Sequence, residues 1–135
     1  MITLLGIGKV KQPFVQEGMQ EFLKRLQSYT KIEYLEKNNL NLDNLNGYII
    51  ALDEHGSQMT SVEFAQFIKK ITLEQKNIIF IIGEAQGLSP DILQKCSKTI
   101  SLSKMTYPTQ LVRLIFAEQL YRAFTIINNE PYHKA

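Results

Sequence analysis

Three runs of nearly unbroken apolar residues constrain this chain most: "ITLLGIG" (Ile2–Gly8), "YIIALD" (Tyr48–Asp53) and "NIIFIIG" (Asn77–Gly83). A half-buried strand alternates apolar and polar residues, because successive side chains point to opposite faces. A run without alternation requires cover on both faces, which is the situation of a parallel sheet between layers of helix. Helical segments lie between the runs. Pro13 opens one that carries Phe14, Phe22, Leu23 and Leu26. "TSVE" (Thr60–Glu63) reads as a capping box ahead of Val62, Phe64, Phe67, Ile68 and Ile71. "SPDILQKC" begins with Ser89 as N-cap and Pro90 at the first helical position. The last helix runs over Thr109–Ile127. "KIEYLEK" (Lys31–Lys37) does alternate and reads as an edge strand, and "TISLS" (Thr99–Ser103) is a short fifth strand. The expectation is one α/β domain over residues 1–135 with a mostly parallel sheet.

A length of 135 residues suits a single core, and 44% hydrophobic with 21% charged residues is ordinary for a globular protein. Cys96 is the only cysteine, which excludes an internal disulfide and fits a reducing cytoplasm; it reads as a structural thiol. The apolar runs are too short to span a bilayer. "MITLLGIGKV" has no basic leader and no small-residue cleavage site, so no signal peptide is expected. A net charge of +2 permits nucleic-acid binding without being an electrostatic footprint for it. Glu36–Gly47, with five Asn, reads as a solvated loop.

Ligands of such sheets bind beyond the carboxyl ends of the strands. Three loops lie there: "LDEHG" after Ala51, "GEAQG" from Gly83, and "LSKMTYP" after Ser101. They form one crevice or three ordinary connections, and spacing alone leaves both open. None is a Walker A or GxGxxG loop. His55 and His133 are the only histidines, and no spacing suits a metal. Asp53, Glu54 and His55 are adjacent, so at a strand end they are expected to point in different directions. The last helix has an apolar stripe of Val112, Phe116, Leu120, Ala123, Phe124 and Ile127, with Leu111, Ile115 and Ile126 off it. A second apolar face needs a second cover, from another subunit or from the rest of the fold.

Two long motifs carry a resemblance: "ISLSKMTYPTQLVR" and "EQLYRAFTIINNEPYHKA", with "IIGEAQGLSP" before them. They resemble the ribosomal RNA large subunit methyltransferase H family of the SPOUT superfamily. "GKVKQPFVQEGMQEFLKRL" and "IIALDEHGSQMTSVEFA" extend the likeness over nearly the whole chain. The resemblance implies a SPOUT-type fold with a deep C-terminal trefoil knot, a homodimer, and S-adenosyl-L-methionine as methyl donor. It implies methylation at N3 of a pseudouridine in a 23S rRNA stem-loop, on assembled ribosomes in the cytoplasm.

Carried over by residue, the resemblance implies cofactor contacts at Leu52, Gly83, Leu102, Ser103, Lys104, Met105, Thr106 and Tyr107. Leu52 suits an adenine face, Gly83 allows close backbone approach, and residues 102–107 offer main-chain groups. In the tail, His133 and Tyr132 are the catalytic candidates, since imidazole titrates near neutral pH and a phenol ring stacks on a base. Arg113, Arg122 and Lys134 are the candidate RNA contacts. Two positions depart from the family pattern. Glu84 stands where the family has a second glycine, and Thr109 stands where it has histidine. Glu84 fits if its φ is negative and brings a carboxylate to the cleft; Thr109 suits a helix N-cap. These departures keep open an RNA- or ligand-binding module without methyl transfer.

Overall fold

A computed structural model describes residues 1–84 and 87–134. Its centre is a five-stranded sheet of β1 (Ile2–Ile7), β2 (Ile32–Lys37), β3 (Tyr48–Gln58), β4 (Ile78–Ile82) and β5 (Lys98–Ser101). The strands are all parallel, in the order β2-β1-β4-β3-β5. Four helices accompany them: α1 (Pro13–Leu26), α2 (Ser61–Glu74), α3 (Pro90–Lys95) and α4 (Thr109–Ile127). The alternating segment β2 is at an edge, as its pattern requires, and the unbroken runs β1, β4 and β3 are interior.

Both faces of those interior strands are covered. Leu4, Ile50, Phe80 and Ile82 point to one side, where Leu26 of α1, Phe64 and Ile68 of α2, and Phe116 and Leu120 of α4 meet them. The Phe116 ring lies 4.8 Å from Phe80 and 5.8 Å from Phe64, centroid to centroid. Leu5, Ala51, Ile79 and Ile81 point to the other side, against Leu88, Ile92 and Leu93 of the α3 region. Residues 40–45 complete that second layer. Leu42 is buried there, with Leu40 and Leu45 packed beside it, and a single 3-10 turn spans Leu42–Asn44. The Asn-rich segment is therefore a loop, as composition indicates, but its three leucines are structural cover and not solvated connection.

The helices differ from their sequence reading in phase. α1 buries Val15, Met19 and Leu26, while Phe14 is exposed. In α2 Phe64, Ala65, Ile68 and Ile71 are buried and Val62 is exposed. The capping box is present: the Thr60 hydroxyl accepts from the Glu63 N–H, and Glu63 accepts from the Thr60 N–H. Ser89 caps α3 by accepting from Ile92 N–H. Thr109 is not a cap. Pro108 holds that position with no side-chain cap, and Thr109 is the first helical residue. α4 is covered chiefly by its own fold, between α1, α2 and the sheet. Leu114 fills the place of a Gly18 side chain, and Ser61 donates to Gln119 at 2.9 Å.

One buried cation ties α4 to the head of the sheet. Arg113 is 3% exposed. Its guanidinium donates to the carbonyls of Ile7 (2.5 Å) and Gly8 (2.8 Å) and to the Tyr34 hydroxyl (2.8 Å). Glu36 balances the charge at 3.5 Å and accepts from Tyr34 at 2.6 Å. Burial, reinforced by donation to Glu36, pushes the Tyr34 phenol up to about 12. One turn earlier, the Gln110 side chain accepts from the N–H groups of Lys11 and Gln12 at 2.9 and 3.0 Å. These are donors that α1 leaves without a cap of its own. Replacing Arg113 by Met keeps the aliphatic stem but strands two carbonyls and Glu36. Urea denaturation is expected to show a loss of about 2–4 kcal/mol; a loss within error of zero would deny the tie its importance.

Candidate functional site

A bulge within β3 and the loops that follow β4 and β5 close around one cleft of about 380 Å³ at the carboxyl edge of the sheet. Leu52, Gly83, Leu102, Ser103, Met105, Thr106 and Tyr107, all expected from the sequence, line it together. Lys104 does not line it and is exposed. Val112 and Thr109, from the start of α4, form part of its wall.

Each loop is brought in by a specific close approach. β3 leaves its ladder with β5 after Leu52 and resumes at Ser57. Residues 53–56 bulge out between those points and cover the cleft. The bulge rests on β5 at Gly56, where a Cβ would stand 2.7 Å from the Ile100 backbone. No larger residue fits without moving main chain. At Gly83 a Cβ would meet Leu88 at 3.0 Å and the Gly87 carbonyl carbon at 3.1 Å. The glycine that ends β4 therefore lets the chain fold straight back into α3. The return is held by a Gly87 N–H to Glu84 carbonyl bond of 2.8 Å, with Gly87 at φ +74°. The middle of that turn, residues 85 and 86, lies outside the described residues. Glu84 is not among the residues with positive φ, so a side chain is accommodated there. In the third loop Ser101 donates to the Ser103 carbonyl, and the Ser103 hydroxyl accepts from Met105 N–H, both at 3.0 Å.

The bulge also corrects the reading of Asp53, Glu54 and His55. They converge. Asp53 accepts from the His55 N–H at 3.0 Å and lies 3.2 Å from its Nδ1, and Glu54 is 3.8 Å from Nε2. All three line the cleft. Adjacent strand residues diverge only while the strand is regular. The missed signal was Gly56, which marks the break in β3.

The tail is docked away from this cleft. Tyr132 donates to Glu118 at 2.7 Å, and its ring meets Tyr121 edge-on at 4.8 Å. Burial, then the bond to Glu118, raises the Tyr132 phenol above its ordinary value. Arg122 donates to Glu118 at 2.7 Å, lies over the Tyr132 ring, and has Nη1 3.0 Å from His133 Nδ1. Glu130 accepts from Tyr29 at 2.6 Å, which carries the Tyr29 phenol up to about 12. Neither His133 nor Tyr132 lines the cleft of its own chain. Of the candidate RNA contacts, Lys134 is exposed and Arg122 is half-buried. Arg113 is committed to the sheet and does not reach the surface as the sequence reading expected. Cys96 donates to the Ile92 carbonyl, and burial pushes its thiol up, as befits a structural residue.

A family model described as "Predicted SPOUT methyltransferase" matches residues 1–133. The chain is 39% identical to the Ribosomal RNA large subunit methyltransferase H of Carboxydothermus hydrogenoformans, covering 98% of this chain and 99% of that one. It is 41% identical to the protein of the same name from Coprothermobacter proteolyticus, with the same coverage. The chain belongs to the ribosomal RNA large subunit methyltransferase H family. Its SPOUT architecture also matches a solved structure titled a probable methylase family protein, from Haemophilus influenzae, at TM-score 0.66 and 13% identity. That match covers 99% of this chain and 70% of the other. Among the described residues of this SPOUT methyltransferase no group of His, Cys, Asp and Glu is placed to hold a metal ion. No helix among them is long and apolar enough to cross a membrane.

Glu118 joins Arg122 and Tyr132, so Glu118→Ala should release the tail. Hydrogen-exchange mass spectrometry is expected to show faster exchange in residues 130–134. The midpoint of global unfolding should move little, since a partly exposed ion pair contributes about 1 kcal/mol or less. Unchanged exchange in the tail would show that stacking on Tyr121 holds it alone.

Proposed function

We propose that this protein transfers a methyl group from S-adenosylmethionine to N3 of a pseudouridine in a 23S rRNA stem-loop, with the assembled ribosome as substrate. The observation that carries the reading is the convergence of the β3 bulge and two strand-end loops on one cleft, in a chain whose relatives are named for methylation of large-subunit rRNA. The cleft suits the donor. Its volume of about 380 Å³ lies within the range of small-molecule sites. Leu52, Ile82 and Leu102 give apolar walls for a purine, and the main chain of 102–107 gives donors and acceptors for its edge. When bound, S-adenosylmethionine supplies a methyl group already activated by its sulfonium.

What the protein must add is alignment and a path for the N3 proton. Holding two reactants in register accounts for several kcal/mol of barrier lowering. The close approaches at Gly56 and Gly83 serve that purpose. The proton path is assigned to the tail, where His133 and Tyr132 remain the candidates. Arg122 can only donate, so His133 Nδ1 accepts, and the proton of the neutral ring sits on Nε2. Undocking from Arg122 would free Nδ1 to take the N3 proton. Because the tail lies off its own cleft, this reading puts it in service of a second copy of the chain, in a homodimer. A hollow lined by Met59, Phe64, Ile115 and Tyr107, beside the cleft, suits the contact. Arg122 and Lys134 are the cations left to meet RNA phosphate.

We also read the C-terminal segment as the deep trefoil knot of SPOUT proteins. Residues 102–108 pass beside the other two cleft loops before α4 returns to Lys11, Gln12 and the end of β1. This is a path that ordinary connection rules disfavour.

The alternative of a binding module without methyl transfer rests on Glu84 and Thr109. Three measurements separate the readings. Mass spectrometry of 23S rRNA from cells lacking the gene should show one methyl group missing from one pseudouridine; an unaltered rRNA would overturn the enzyme reading. Gly83→Val should lower S-adenosylmethionine affinity by about tenfold or more by calorimetry, since it displaces Leu88 and the cleft wall; full affinity in a folded variant would count against the site. Removal of residues 131–135 should spare cofactor binding and reduce methylation by about a hundredfold. Wild-type turnover by the truncated chain would return the tail to a structural role.

A further inference from the structure

The cleft that rests on the reading above has a charge that composition does not foretell. The chain carries a net +2, yet among the described residues its cleft is lined by three carboxylates, Asp53, Glu54 and Glu84, and by no Lys or Arg. The carboxylates are not equivalent. Asp53 is nearly buried and taken up by the backbone and ring of His55. Glu54 faces the same ring. His55, 84% exposed, is the one histidine on the lining among the described residues. Glu84 is different: among the described residues it has no cationic partner. Its side chain rests on the Gly8 turn, in the space a Gly8 side chain would need, and Gly8 has φ +86°. The exposed carboxylate thus lies against the main chain at the end of β1, which Arg113 in turn holds by the Gly8 carbonyl.

We propose that Glu84 makes the cleft select by charge, favouring the sulfonium nucleoside over the neutral thioether nucleoside left after methyl transfer. S-adenosylmethionine carries one more positive charge than S-adenosylhomocysteine and otherwise presents the same adenine, ribose and amino-acid groups. Apolar walls and main-chain hydrogen bonds treat the two alike. A fixed negative charge does not, and it works in the direction that releases product. Glu84 is thereby a specificity-determining residue, and it occupies a position where the family pattern carries glycine.

Calorimetry of the full-length protein with S-adenosylmethionine and with S-adenosylhomocysteine tests this, in wild type, Glu84→Gln and Glu84→Gly. Circular dichroism of each variant checks the fold. Both substitutions should cut the preference for the sulfonium form by about fivefold, the scale of one Coulomb contact between partly solvated charges. The homocysteine product should keep its affinity. In the wild type the preference should shrink as salt is raised from 50 mM to 500 mM, roughly a threefold contraction of the Debye length. An unchanged ratio in the variants, or an equal loss for both ligands, would overturn the proposal and leave the cofactor reading standing. Equal loss would mean that Glu84 holds a group common to both, such as a ribose hydroxyl. Failure of both ligands to bind the wild type would overturn the cofactor reading itself, and the charge preference with it.

Discussion

Arg113 is the contact on which the arrangement of this molecule turns. A guanidinium has five donors in a fixed plane and cannot be deprotonated, so burying it commits its surroundings to acceptors. Here the acceptors are two carbonyls at the end of β1, a phenol and a carboxylate of β2. The commitment reaches further into the sequence. Gly6 must lack a side chain, because a Cβ there would lie 2.6 Å from Arg113 Nη1. Gly8 must turn with positive φ for its carbonyl to face α4. Gln110, one turn before Arg113, then reaches the two free N–H groups that precede α1. With α4 pinned at its start, residues 102–108 have little freedom except to run along the cleft.

The division of labour between core and site decides what could be read from the sequence. The parallel sheet was legible in Ile2–Gly8, Tyr48–Asp53 and Asn77–Gly83, because burial on both faces leaves no room for polar residues. The alternating β2 was legible as an edge for the complementary reason. Helix existence was legible and helix phase was not. In α1 both Phe14 and Val15 are apolar, and only the positions of α4 and β2 decide that Val15 turns inward, beside Leu111, Leu114 and Tyr34. The leucines at 40, 42 and 45 were hidden among five asparagines, because their spacing follows a loop and has no period. Arg113 was hidden because an arginine is expected at the surface unless paired. Its partners lie 79 to 106 residues away in the chain, at Tyr34, Gly8 and Ile7.

The site shows the same limit in another form. The loops that the resemblance named do meet: Leu52, Gly83 and residues 102–107 line one cleft, Lys104 excepted. The residues it left out, Asp53 to His55, required knowing that β3 breaks. A bulge is a property of two strands, and Gly56 against the Ile100 backbone is its only trace in the sequence. Reading "LDEHG" as a plain strand end sends the three side chains apart; reading it as a bulge brings them over the cleft.

Most of what shapes the cleft is main chain. Gly56 on β5, Gly83 under Leu88 and the serine-stabilised loop at 101–105 set its walls. A site built this way tolerates exchange of side chains that only border it. Thr109 needs no capping hydroxyl, because Pro108 already occupies the cap and Gln110 and Arg113 anchor the helix. Glu84 needs no special backbone, because its φ is ordinary and its side chain has the Gly8 turn to lie on. The two departures from the family pattern therefore fall where the frame does not depend on them. A glycine-built frame fixes the shape of the cleft, and the bordering residues are left free to set its charge.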